Sequence, residues 1–141
     1  MSILDGIKLL DELTKTDKEN LSLFCQLKSL KKGEIIFKEG EEAIAMYILK
    51  TGKIEIRKDI DGKIVVLGNV EAEEILGEMA LFGDDNKRMA TAVAIEECEL
   101  ITILSFSIKD LTKKYPLLYE KIKDIINDRI IDNKIIESTM K

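Results

Sequence analysis

Apolar and polar residues along this chain follow three successive periods. Near the start, Ile3, Leu4, Ile7, Leu10 and Leu13 recur at steps of mostly three, which predicts an amphipathic helix. Thr16 and Glu19 stand at the spacing of a capping box, in which the hydroxyl accepts from the Glu19 amide and the carboxylate reaches back to the cap. A second helix carrying Leu21, Phe24 and Leu27 is expected next, the two helices covering one end of a core. From Leu30 the period shortens. Apolar runs at 34–37, 44–50, 53–58 and 63–68 are separated by Lys32-Gly33, Glu39-Gly40, Thr51-Gly52 and Asp61-Gly62, and further runs follow at 91–96 and 98–104. Short strands parted by turn residues at regular spacing predict an antiparallel all-β unit. Ile54 and Ile56 alternate with Glu55 and Arg57, so that strand should bury one face. Asp61-Gly62 suits a type I′ hairpin, whose two central residues both need positive φ. With about eight strands in all, the expected fold is mainly β, an eight-stranded antiparallel jelly-roll (double-stranded β-helix) barrel with N-terminal helices and a long C-terminal helix.

The third period is helical again. Residues 107–115 read as a short helix ending before Pro116, a residue tolerated in the first turn of the next helix. From Pro116 to Met140 the chain reads as one long helix. Tyr119, Ile122, Ile126, Arg129, Asn133, Ile136 and Met140 lie on it at steps of three and four, a heptad seam with polar interruptions. Ile125, Ile130, Ile131 and Ile135 add more apolar surface than one seam requires, and an exposed apolar patch of that kind is rare on a monomer. Two readings follow: a homodimer through paired C-terminal helices, with Ile126 near the centre of the contact, or a helix packed on its own barrel. The expected organisation is a single domain over 1–141, with N-terminal helices in 1–29, the barrel in 30–104 and C-terminal helices in 105–141.

Composition narrows the function classes. A chain of 141 residues suits one core. The net charge of −5 comes from interspersed acidic and basic residues, which argues against a surface built to grip nucleic acid. There are two cysteines and no histidine, so neither a metal site nor a disulfide framework is expected, and Cys25 and Cys98 read as buried free thiols. No apolar run approaches a membrane span and no signal peptide is visible, which points to a cytoplasmic protein without a membrane partner. Nucleophile-elbow, Walker and metal-ligand motifs are lacking, so an enzyme is not expected and no catalytic residue is assigned.

Candidate chemistry concentrates in 75–91, ILGEMALFGDDNKRMAT. Gly77 lets backbone approach a ligand closely, and the turn after it offers backbone N–H groups to an anion. Glu78 can accept from sugar hydroxyls. Arg88 carries a fork of donors for two phosphate oxygens and stays charged at physiological pH. A hydroxylated ring and an anion are served together.

Here the sequence resembles the phosphate-binding cassette of cyclic nucleotide-binding domains, as found in bacterial catabolite-activator-type regulators and in regulatory subunits of cyclic-nucleotide-dependent kinases. Gly77, Glu78, Met79, Ala80, Leu81, Arg88, Ala90 and Thr91 match that family's pattern in order. Upstream, Gly33-Glu34-Ile35-Ile36, Glu39-Gly40, Tyr47 and Gly52 resemble its glycine framework, whose role is structural. The resemblance covers about 15–137 and implies a sensor in which Gly77, Glu78, Met79, Ala80, Arg88, Met89 and Ala90 hold a cyclic nucleotide. No other cofactor is implied. Met89 stands where many relatives carry Ala, Ser or Thr, and the lack of Thr argues for cyclic AMP over cyclic GMP. Asp84 and Asp85 would repel an anion if turned inward and are harmless if turned outward. In catabolite-activator-type relatives the long helix forms the dimer and its polar residues meet the purine, which implicates Asn133, with Met89 as an apolar lid. The chain ends soon after that helix, so no DNA binding is expected from these residues, and it reads as a stand-alone sensor or a piece of a larger regulator. The alternative is a degenerate barrel without ligand, acting as a dimerisation or partner-docking module.

Overall fold

The structure, a computed structural model, describes residues 3–83 and 85–139. Asp84 and the Met140 end of the seam lie outside them. Among the described residues, eight strands form two four-stranded antiparallel sheets. The first contains β1 (Cys25–Leu30), β8 (Cys98–Leu104), β3 (Ala45–Thr51) and β6 (Ile75–Leu76), in that order across the sheet. The second contains β2 (Ile35–Phe37), β7 (Thr91–Ala94), β4 (Ile54–Ile60) and β5 (Lys63–Val70). This alternation between sheets is the jelly-roll order. Among the described residues there are also four α-helices: α1 (Lys15–Ser22), α2 (Glu78–Leu81), α3 (Ser105–Lys114) and α4 (Pro116–Thr139). No described helix is long and apolar enough to cross a membrane.

The core has two layers, and β3 belongs to both. Ala45, Tyr47 and Leu49 pack between the sheets with Phe37, Ile54 and Leu100. Met46 and Ile48 face the other way, toward Leu4, Leu10, Ile108, Leu118 and Ile122 of the helical layer. A strand buried on both faces reads as a continuous apolar run, and 45–49 is one. The 60–63 hairpin has positive φ at Asp61 (54°) and Gly62 (84°), as the type I′ turn requires.

The N-terminal region differs from expectation in three ways. The stretch carrying Ile3 to Leu13 forms turns and one 3₁₀ turn, Lys8–Leu10, because Gly6 takes a φ of 80° that interrupts a helix. Leu4, Ile7, Leu10 and Leu13 are nonetheless buried. The cap of α1 falls on Thr14, not Thr16: the Thr14 side chain accepts from the Asp17 amide at 3.1 Å. The expected second helix ends at Ser22, and Cys25–Leu30 is strand β1, paired residue for residue with β8. Leu21, Phe24 and Leu27 mimic a helical period, but pairing with a distant strand overrides it.

The C-terminal helices cover the first sheet. Tyr115 joins α3 to α4, accepts from the Thr14 amide at 3.2 Å and donates to the Asp17 carboxylate. Lys114 Nζ lies 2.9 Å from the same carboxylate. The Tyr115 and Lys114 hydrogen bonds hold the Asp17 carboxyl below its usual range. Ile122 and Ile126 are buried within their own chain, so Ile126 does not sit at the centre of a helix-pairing seam. Their face of α4 is spent on the barrel, whereas Leu117, Tyr119, Ile131 and Ile135 remain exposed.

Candidate functional site

Between the second sheet, the 75–90 segment and α4 lies a cavity of about 660 Å³, within the range of small-molecule sites. Gly77, Glu78, Met79, Ala80, Arg88, Met89, Ala90 and Asn133 all line it. Backbone geometry sets the cassette side. Gly77 has a φ of 83° and serves as the N-cap of α2. A Cβ there would stand 2.7 Å from Arg88 Nη1, so both the turn and the arginine need glycine at this position.

Arg88 is buried at 4% exposure, in the wall of the cavity. Its guanidinium donates to the Gly77 carbonyl at 2.8 Å and to the Ala45 carbonyl at 2.6 Å, and its carbon lies 4.2 Å from the centroid of the Phe37 ring. Burial lowers its pKa from the usual arginine value, yet guanidinium remains charged in proteins. The main chain holds it from behind. The Arg88 amide donates to the Glu41 carbonyl, the Gly40 amide donates to the Arg88 carbonyl, and the Ala43 amide donates to the Asn86 carbonyl, each at 2.8 Å. The Asn86 side chain returns a bond to the Ala43 carbonyl, and Glu42 and Lys87 pair as an isolated bridge. The cassette loop is thus fastened to the β2–β3 turn, with the cation at a fixed place. Two carbonyls use part of its set of five N–H donors, which leaves capacity for an anion.

Glu78 is buried at 1% exposure in the first turn of α2. Burial raises its pKa, while the Arg129 charge and hydrogen bonds from backbone at Glu78 and Met79 act in the opposite direction. Arg129 on α4 is ion-paired with the Glu78 carboxylate through Nη1 and donates from Nη2 to the Ile75 carbonyl at 2.7 Å. Sequence reasoning put Arg129 on a helix seam and missed this role. The available signal was a charged residue among isoleucines, four positions before Asn133 and therefore on the same helix side. Asn133 is half-buried in the cavity wall, and Met89 is 54% exposed at its edge. Asp85 is exposed and accepts from the Lys87 amide at 3.2 Å. Thr91 fastens structure instead of lining the cavity: its hydroxyl accepts from the Glu39 amide at 3.0 Å.

Chemically, this is a mostly apolar cavity with a cation on one wall, a carboxylate near it, and a helix whose arginine reaches across to that carboxylate. Both cysteines are free. Burial pushes the Cys25 thiol up to about 11 and also raises that of Cys98, so neither is a reactive thiolate at neutral pH.

Residues 27–115 match the family model for the cyclic nucleotide-binding domain. The Cyclic AMP receptor protein of Thermus thermophilus is 26% identical over 128 residues, covering 90% of this chain and 59% of that protein. The crystal structure of the Thermus thermophilus Catabolite Activator Protein superposes with a TM-score of 0.76 at 23% identity, over 94% of this chain and 62% of that one. The regulatory domain of Toxoplasma gondii PKA, crystallised with cAMP, gives 0.69 at 25% identity, over 80% of this chain and 44% of that one. The chain spans 59% of the length of the Thermus thermophilus Cyclic AMP receptor protein and 32% of that of a Putative potassium channel protein of Rhodopseudomonas palustris, which is 27% identical over 138 residues, 96% of this chain.

Proposed function

This chain belongs to the cyclic nucleotide-binding domain family, and we propose that residues 1–141 form one cytoplasmic sensor domain for cyclic AMP whose output is a movement of α4. The observation that carries this reading is the convergence of Arg88, Glu78, Arg129 and Asn133 on one cavity. In this reading Arg88 takes the cyclic phosphate and Glu78 accepts from the ribose. A carboxylate has room for several hydrogen bonds, so a ring hydroxyl can join or displace Arg129 there. Either way the ligand acts on the residue that joins α4 to the cassette. Asn133, one turn further along α4, offers an amide to the adenine edge, with Met89 as an apolar neighbour. α4 then closes over the base. The domain performs no chemical step and grips no nucleic acid.

Titration calorimetry with cyclic AMP and with cyclic GMP tests the reading. Saturable binding with cyclic AMP preferred is expected, and no heat with either nucleotide would overturn it. The second reading, a barrel without ligand that docks a partner, draws on the Arg129 contact that already occupies Glu78, and the same titration decides between them.

The partner we infer is a second copy of the chain, meeting it along α4. Ile131 and Ile135 lie one turn apart and are 56% and 57% exposed, the kind of apolar face that helix pairing covers. Ile131→Asp with Ile135→Asp should convert a sedimenting dimer to monomer. A wild type already monomeric removes the pairing.

A further inference from the structure

α4 meets the cavity wall a second time, two turns beyond Arg129. There Lys58 Nζ on β4 stands 3.3 Å from Glu137 Oε1 on α4. Arg129, Asn133 and Glu137 follow one another at four-residue steps, so they form one stripe along the helix. At 1.5 Å per residue, Glu137 is about 12 Å further along the axis than Arg129. Lys58 and Glu137 both line the cavity.

The two anchor points differ in kind. The Arg129–Glu78 contact is closed from water on the glutamate side, where exposure is 1%. The Lys58 and Glu137 side chains are 27% and 36% exposed, so their pair lies at the rim. Among the described residues, Ile126 is the last of α4 to be buried. The turns that follow carry the exposed Ile131 and Ile135, and the Lys58–Glu137 pair ties those turns to the sheet.

We propose that Lys58 and Glu137 form a gate, an ion pair that opens for a cyclic nucleotide to enter or leave and recloses over the occupied cavity. The proposal rests on the reading of the cavity as a nucleotide site. Its chemistry suits the task, because a partly exposed pair is weak enough to open often. When open, it leaves an ammonium at the rim to meet an anionic ligand. When shut, the carboxylate neutralises that ammonium, so the gate does not hold the phosphate back from Arg88.

The test uses the full chain with Lys58→Glu, Glu137→Lys and the double swap that restores opposite charges. Amide hydrogen exchange over 131–139 is read without ligand, and association and dissociation rates are read by stopped flow with fluorescently labelled cyclic AMP. Each single reversal should speed exchange in 131–139 and raise the dissociation rate about threefold to fivefold, the scale of an exposed pair, while association should rise only in Glu137→Lys, which keeps an ammonium at the rim. The double swap should return exchange and both rates toward wild type. Unchanged exchange and rates in both single variants would overturn the gate. So would an altered equilibrium constant with unchanged exchange, which would make the two residues ligand contacts. A wild type that takes up no nucleotide overturns the reading of the site instead. The exchange arm, run without ligand, then still reports whether the pair clasps α4.

Discussion

The cavity has two sides that are held in place by different forces. On the cassette side, Arg88 is fixed by main-chain bonds at both its amide and its carbonyl, and its guanidinium is clamped by two further carbonyls. On the α4 side, Arg129 reaches α2 and β6 and Glu137 reaches β4 through side-chain bonds, while buried apolar anchorage ends at Ile126. Main-chain bonds in a closed network yield only when the surrounding fold yields, whereas the partly exposed Lys58–Glu137 pair opens at modest cost and the buried Glu78 carboxylate can trade Arg129 for another donor. A ligand touching both sides therefore finds one that holds still and one that can respond. This division is what a sensor needs, and variants on the two sides should separate stability from response.

The largest effect is expected at Arg88. Arg88→Ala removes the anion's main partner and leaves the Gly77 and Ala45 carbonyls without their donor. Each unpaired buried group costs about 1–3 kcal/mol, so stability should fall by about 2 kcal/mol or more in denaturant titration. Cyclic nucleotide affinity should drop by about a hundredfold, the loss of a bidentate charged contact. Sequence reasoning treats this arginine as a ligand contact. Its 4% exposure and two carbonyl partners give it a structural role as well. Arg88→Lys should fold better than Arg88→Ala and still bind weakly, because a point charge cannot replace the fork.

Glu78 should behave differently. Glu78→Gln keeps an acceptor near Arg129 but removes a buried charge, so affinity should fall about tenfold with little loss of stability. Its pH dependence has a definite sign. Burial raises the folded pKa above the ordinary value of 4.5, so the folded state holds its proton longer than the unfolded one. As pH rises from 4.5 through the raised value, the wild type should therefore lose stability relative to Glu78→Gln. Parallel stability profiles across that range would show that Glu78 titrates alike in both states.

The smallest of these effects is expected on α4. Asn133→Ala should narrow the preference for cyclic AMP over cyclic GMP by a few-fold, with stability unchanged. An unaltered affinity ratio would remove Asn133 from base recognition.

The two sides were also unequally legible in the sequence. Strand alternation and turn glycines announce the sheets because each depends on local geometry: the turn at Asp61-Gly62 and the double-faced burial of 45–49 are written in adjacent residues. The cassette is local in the same sense, since Gly77, Glu78 and Arg88 fall within one short segment. Arg129 is not. Its place against Glu78 depends on how α4 packs across the barrel, and Ile122 and Ile126 look like seam residues until their partners are known to be Met46, Ile48 and their neighbours. β1 escaped notice for the same reason, because its strand partner lies near the other end of the barrel sequence. The cap at Thr14 instead of Thr16 is a smaller miss. Both threonines precede an acidic residue by three, and the Tyr115 hydroxyl, which accepts from the Thr14 amide, belongs to a distant helix junction.

In the proposed sensor, a fixed cassette binds and a responsive helix reports. Amide hydrogen exchange of the wild-type chain, with and without saturating cyclic AMP, tests this claim most directly. The amides of Gly40, Ala43 and Arg88 should exchange slowly in both states, being bonded in the free protein, while exchange over 129–139 should slow when the nucleotide is bound. Unchanged exchange over 129–139 at saturation would contradict the claim, because the ligand would then occupy the cavity without engaging α4.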